Sequence, residues 1–232
     1  LIGVDIRVPG SRKFAQVGNL PWLCHNLWLQ YRYSMDETIL RNTIFPTLKR
    51  AINFYIPFLE KDEQGILHLK ETYSPEYGSA KDCNYDIALL RWGCQTLLKA
   101  SQILSIKDNL IPKWQEIIEK LTDYPQDENG MMIGKDMPFS KSHRHYSHLL
   151  MFYPLYLLNI EQNENKELLE KSVEHWLSIP GNILGFSNTG ASSLYAAAGE
   201  GNKALEKLKG LFALALRPNT MYMESGPVIE TP

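Results

Sequence analysis

The sequence predicts an all-α chain assembled from antiparallel helix pairs with short, decorated loops. Most stretches carry apolar residues three or four positions apart, the spacing that lines one face of a helix. An acidic residue stands just ahead of two of these stretches, where a side-chain oxygen can cap a helix. The alternation that marks a strand is confined to short segments between them.

PWLCHNLWLQYRY (21–33) places Leu23, Leu27 and Tyr31 four apart and reads as the first helix. Asp36 caps ETILRNTIFPTLKRAINFYIPFLEK, a long helical pattern in which Pro46 and Pro57 predict a kink or a break. GILHLKETYS (65–74) sets Ile66, His68 and Lys70 against Leu67 and Leu69, as an extended strand does. NYDIALLRWGCQTLLKASQIL (84–104) returns to helix, and Asp108 caps NLIPKWQEIIEKLTDY. A turn at Asp127–Gly130 precedes GMMIGKDM (130–137), a second break in the helical pattern. SHLLMFYPLYLLNI and KELLEKSVEHWLSI form the next pair of helices; GASSLYAAAGEG and NKALEKLKGLFALAL form the last, joined at Gly199 to Gly201. Helix-rich chains of this size form solenoids, bundles or closed toroids of hairpins. No fixed short repeat is present, which disfavours a solenoid.

Composition narrows the function classes. With 24 basic and 26 acidic side chains the net charge is −2, so no basic face for nucleic acid is expected. No apolar run approaches the roughly 20 residues of a membrane span, and LLMFYPLYLL is interrupted by Pro154. Cys24, Cys83 and Cys94 form no CxxC pair and read as inert buried thiols rather than a disulfide or zinc framework. Twelve Tyr and five Trp supply aromatic faces that suit either a core or a sugar ring. Residues 1–232 are read as one domain segment. The opening LIGVDIRVPG and closing GPVIETP lead us to expect a piece of a longer polypeptide, whose remainder would be a partner of the segment.

Three stretches carry groups capable of chemistry. SHRHYSHLLMFYP (142–154) crowds His143, Arg144, His145 and His148 against an apolar run. Metal binding fits poorly, because the i, i+2, i+5 spacing is not the i, i+4 pair of a helical zinc site and no Asp, Glu or Cys completes a set. A helix start with satisfied polar groups, or a polar pocket at a helix N-terminus that hydrogen-bonds hydroxyls, fits better. In ETYSPEYGSAKDCNYD (71–86), Pro75 stiffens the chain before Glu76 and Gly78 loosens it after. Tyr73 and Tyr77 flank this loop carboxyl; desolvation against their rings would favour the neutral form that a general acid needs. MESGPVIETP (223–232) adds Glu224 and Glu230, either of which would complete the carboxyl pair of glycoside hydrolysis.

In this order, the stretches resemble glycoside hydrolase family 95, which holds inverting 1,2-α-L-fucosidases and α-L-galactosidases. WLCHNLWLQYRY resembles its W-L-C-x-H-L-W-x-x-Y segment, YSPEYG its S-P-E-N loop, and SHRHYSHLLMFYP its H-R-H-x-S-H-L-x-x-x-Y-P motif. GFSNTGASSLYAAAGEG is similar in length to its G-W-S-x-A-W-K-x-N-x-x-A-R-x-G-D-G segment. The resemblance covers residues 20 to 230. It implies an (α/α)6 toroid of helical hairpins, incomplete in this chain, with Glu76 as general acid and Glu230 at the position of the family's basic Asp. It implies sugar contacts from His143, Arg144, His145 and His148, and from Trp22, Asn26, Asn84 and Asp86. It implies an oligosaccharide or polysaccharide substrate, no cofactor, no metal, and a secreted or periplasmic address.

The departures shape the expectation. Asn26 stands at a family His, and Asn84 where an Asp usually follows the S-P-E loop, with Asp86 two residues on. Gly190, Ala191, Ser193 and Ala197 replace Trp, Lys, Asn and Arg. These losses predict a wider, less charged pocket and altered selectivity. An inverting exo-glycosidase is therefore the first reading. A toroid that holds glycans without cutting them, and a structural or protein-interaction array, are the alternatives. The first requires Glu76 and the imidazole-rich loop to serve one sugar-sized hollow.

Overall fold

The computed structural model describes residues 16–214, 216–225 and 228–231. Among these residues the elements are helices joined by turns, with strands as four two-stranded antiparallel hairpins. The mainly helical class expected from the periodicity holds. The chain divides into two compact units: Leu1–Pro125 with Ile133–Met137, and Gln126–Met132 with Pro138–Pro232.

In the first unit, α1 (Asn19–Ser34) buries Pro21, Cys24, His25, Trp28 and Tyr31. The buried stripe shares Tyr31 with the expected Leu23–Leu27–Tyr31 line but runs through Cys24 and Trp28 where Leu23 and Leu27 were expected; those two are half-buried, and the rings of Trp28 and Tyr31 lie 5.2 Å apart. Asp36 caps α2 (Glu37–Ile39), its Oδ1 accepting from Thr38 N at 2.8 Å and Ile39 N at 3.3 Å. The pattern passes through a π turn, Leu40–Ile44, into α3 (Phe45–Asn53). Pro46 sits at the start of α3 after the widened turn, where its missing N–H costs little, so it does not break the run. Pro57 does end it: a short 3₁₀ turn, Ile56–Phe58, leads into β1 (Leu59–Lys61).

The expected strand over 65–74 becomes two. β2 (Leu67–Leu69) pairs with β1, and β3 (Thr72–Ser74) pairs with β4 (Gly78–Ala80). The alternation was legible, since Leu67 and Leu69 point inward while His68 is half-buried. Asp82 locks the hairpin ends together: its Oδ1 accepts from Leu69 N and its Oδ2 meets His68 Nδ1, each at 2.7 Å. Then α4 (Asn84–Ile103) runs through the centre of the unit, with Ile87, Leu89, Leu90, Cys94 and Leu97 fully enclosed. Gly93 lets α3 approach, for a Cβ there would lie 2.1 Å from Ile52 Cδ1. α5 (Ile111–Lys120) packs its Trp114 and Ile117 inward, and Trp114 Nε1 donates to Asn53 Oδ1 at 3.2 Å.

The second unit begins with the hairpin of β5 (Gln126–Asp127) and β6 (Gly130–Met131). Gly130, at φ +117°, lies so close to Ser172 that a Cβ would come within 2.8 Å of its Cα. The helix expected over SHLLMFYPLYLLNI does not form. Only a 3₁₀ turn, Ser147–Leu149, is made, and successive turns follow. Leu149, Leu150, Met151 and Phe152 are all fully buried, so the run is core without being helical. Pro154 lacks an N–H and disfavours helical geometry at Tyr153. The backbone is satisfied by turn bonds, Phe152 N to Leu149 O and Leu155 N to Leu150 O among them. α6 (Asn163–Ser178), α7 (Gly185–Ala197) and α8 (Gly201–Leu214) follow, and β7 (Tyr222–Ser225) pairs with β8 (Val228–Thr231).

Candidate functional site

Glu76 stands at the tip of the β3–β4 hairpin. Ser74 pairs with Gly78, and Tyr77 N donates to Ser74 O at 2.7 Å, so Pro75, Glu76 and Tyr77 form a three-residue connection. A tip pushes its side chain outward, and Glu76 is exposed. The expected enclosure between aromatic faces is not found: Tyr77 turns inward and is buried, while Tyr73 lies half-buried beside the carboxylate. Partial burial and the Glu76 charge both push the Tyr73 hydroxyl above its usual pKa. The hairpin therefore presents an accessible carboxyl on a rigid, paired base.

The remaining candidates of this unit lie on α1 and the start of α4. Trp22 is half-buried with its ring 5.8 Å from that of Tyr85. Asn26 is exposed on the side of α1 away from the buried stripe. Its neighbour His25 is the imidazole that turns inward, edge-on to Trp92 at 5.2 Å. Position 26 was singled out by the family's motif, which has His there; this chain's own imidazole stands one residue earlier. Asn84 and Asp86 are wholly buried. Asn84 donates from Nδ2 to Pro125 O at 2.8 Å, and its N–H donates to Ile133 O. Asp86 accepts from the Tyr55 hydroxyl at 2.6 Å. Desolvation pushes the Asp86 carboxyl up to about 7, while hydroxyls of Thr72 and Tyr55 pull the other way. Sugar contact from Asn84 and Asp86 is corrected on this ground: neither has surface to offer, and both instead fix the start of α4 beneath the hairpin.

In the second unit the histidine-rich loop is held by its backbone. Trp176 Nε1 donates to His143 O at 2.7 Å, and Ser187 Oγ donates to Arg144 O at 2.9 Å. With the carbonyls anchored, the side chains of His143, Arg144 and His145 stay half-exposed and close together. The imidazoles of His143 and His145 meet edge-on at 4.9 Å, and Arg144 Nε donates to His145 Nε2 at 3.1 Å. That bond makes His145 Nε2 an acceptor and leaves its proton on Nδ1. His148 behaves differently. It is buried, stacks on Phe139 at 4.6 Å and leaves Nδ1 without a partner. Burial, with His143 and His175 nearby, pushes it down to about 3, so it stays neutral. His148 is thus a core group under the loop and not a direct sugar contact. Among the described residues no three His, Cys, Asp or Glu groups are arranged to hold a metal ion.

The histidine-rich loop lies against the start of α7. The N-cap of this helix is Leu184, which has no acceptor side chain; Ser187 Oγ accepts from Leu184 N at 3.2 Å. Phe186 presents its ring to both Tyr146, stacked at 5.5 Å, and His145, edge-on at 5.2 Å. Gly190 does not open the pocket as expected. The Tyr146 ring fills the space, and a Cβ at position 190 would lie 2.3 Å from it. Glu224, on β7, is buried and accepts from Phe186 N at 2.6 Å. Glu230 falls on β8, and its side chain lies outside the described part of the structure. The structure thus gathers His143, Arg144, His145 and Glu224 around one helix start. Glu76, Trp22, Asn84 and Asp86 belong to the other unit.

Comparison with known proteins agrees with these motifs. Residues 10–227 match the family model described as the glycosyl hydrolase family 95 catalytic domain. The chain is 28% identical over 220 residues to alpha-L-fucosidase 2 of Arabidopsis thaliana, covering 88% of this chain and 26% of that protein. It is 26% identical over 198 residues to probable alpha-fucosidase A of Aspergillus niger, covering 76% of this chain and 24% of that protein. The chain therefore spans about a quarter of the length of these relatives.

Proposed function

Because the chain belongs to the glycosyl hydrolase family 95 catalytic-domain family, we propose that it carries part of the active site of an inverting exo-glycosidase. The substrate class is a glycan ending in an α-L-fucosyl or α-L-galactosyl residue. Glu76 gives its proton to the leaving glycosidic oxygen as the bond to the anomeric carbon breaks. Glu230 takes a proton from the water whose oxygen forms the new bond on the opposite ring face, which inverts the anomeric centre. His143, Arg144 and His145 hydrogen-bond hydroxyls of the terminal sugar. A secreted or periplasmic setting fits a polysaccharide substrate.

The observation that carries this reading is the placement of Glu76: a solvent-reached carboxyl on the S-P-E hairpin, beside Tyr73. An exposed acid can meet a substrate oxygen. The test is Glu76→Gln, assayed on this chain and on the longest polypeptide that contains it. Hydrolysis of an unactivated fucosyl disaccharide should fall by about 10²–10⁴-fold, the usual worth of general acid catalysis. Fucosyl fluoride, whose leaving group needs no proton, should lose far less. Proton NMR of the first product should show the β anomer. Equal loss on both substrates would remove Glu76 as the acid. Saccharide binding with no turnover by the parent protein would instead point to a glycan-holding module.

A further inference from the structure

Glu224 has no assigned part in the reading above, yet its surroundings are specific. It reaches from β7 to the first turn of α7, 38 residues away in sequence, and its Oε2 accepts from Phe186 N at 2.6 Å. Phe186 is the second residue of α7, and its N–H is one that a capping side chain ordinarily satisfies. Leu184, at the N-cap, cannot do so. Ser187 supplies the reciprocal half of the cap, accepting from Leu184 N. The missing half comes from Glu224, and a carboxylate also complements the positive end of the helix dipole.

The same helical turn supports the imidazole loop. Ser187 Oγ holds Arg144 O, and the Phe186 ring bears on His145 and Tyr146. We infer that Glu224 is a positioning residue: by capping α7 from β7 it fixes Phe186, and through that ring the imidazole of His145. The inference rests on the reading of His145 as a saccharide contact only for its functional consequence; the geometric part stands by itself. The other oxygen, Oε1, is buried without a partner among the described residues, so Glu224 acts on its neighbours through the Oε2 bond.

Three variants separate the steps. Glu224→Ala removes the acceptor, Glu224→Gln keeps an acceptor oxygen without the charge, and Phe186→Leu keeps the cap but removes the ring. Imidazole nitrogen shifts and the titration midpoint of His145, followed by NMR without sugar, form the first readout. Titration with L-fucose and L-galactose forms the second. Glu224→Ala and Phe186→Leu should each displace the His145 resonances and weaken the better sugar by at least about fivefold, whereas Glu224→Gln should stay within about twofold of the parent. If Glu224→Ala does not fold, Phe186→Leu still tests the ring contact and Glu224→Gln the cap. Unmoved His145 resonances in Glu224→Ala or in Phe186→Leu overturn the inference, and so does a Glu224→Gln variant as impaired as Glu224→Ala. Displaced resonances with no sugar bound by any form, the parent included, would leave the positioning intact and sink the saccharide reading instead.

Discussion

Asp86 and His148 are buried titratable groups with opposite consequences. The Asp86 carboxyl sits near 7 in the fold against about 4 in an unfolded chain, so the folded state holds its proton longer. Its contribution is intact below pH 4 and is lost as the pH rises through 7. His148 is depressed to about 3 against about 6.5, so its contribution is intact above 6.5 and lost as the pH falls toward 3. Asp86→Asn keeps an acceptor for the Tyr55 hydroxyl but cannot ionise. Urea unfolding at several pH values between 4.5 and 7.5 should show the parent losing stability with rising pH relative to this variant. A constant difference across that window would contradict the burial argument. At this scale the sequence was informative only where a side chain acts on its own neighbours. The Asp36 cap bonds two and three residues ahead and was legible. Asp86 was singled out as a sugar contact from the resemblance alone; its partner Tyr55 lies 31 residues away and was not legible, nor was the cap that Glu224 gives α7 across 38.

Between residues and the whole lie the elements, where periodicity served well for most helices and failed at the run before Pro154. α4, α6 and α8 fall close to where the pattern placed them, whereas α7 begins at Gly185, ahead of the expected GASSLYAAAGEG stretch. The run from Leu149 to Phe152 looked helical by composition, yet Pro154 follows it and the buried chain runs as a sequence of tight bends. A similar misreading attends Gly190. Loss of a large side chain suggested an empty pocket; packing shows the Tyr146 ring drawn into that space against α7. Gly190→Ala should therefore displace the ring or the helix and cost about 1–3 kcal/mol, the usual penalty for overpacking. Thermal unfolding checks the cost. Near-ultraviolet circular dichroism, which reports ordered tyrosines, checks whether Tyr146 moves. A variant as stable as the parent with an unchanged spectrum would mean the contact is slack.

Over the whole molecule, the last helix is the least conventional part. An amphipathic helix ordinarily turns its large apolar residues toward the nearest partner. α8 instead buries Ala204, and a Cβ added at Gly210 would lie 3.3 Å from Asn188 Oδ1 on α7, so small residues face that helix. Leu205, Leu208 and Phe212, at i, i+3 and i+7, are 49%, 38% and 54% exposed. The spacing was legible in the sequence, but which face it would present was not, since helical period alone does not say whether large or small residues meet the neighbour. A contiguous apolar line of this kind is what drives non-specific association in water. The chain should accordingly show concentration-dependent self-association by sedimentation velocity. Replacing Leu208 with Lys and Phe212 with Glu should shift it toward monomer. Because both side chains are already exposed in part, the double variant should change the melting temperature by no more than about 2 °C, in keeping with the small cost of surface substitutions. A large loss of stability would show that these side chains are engaged by other parts of the chain, and unchanged association would move the sticky surface elsewhere.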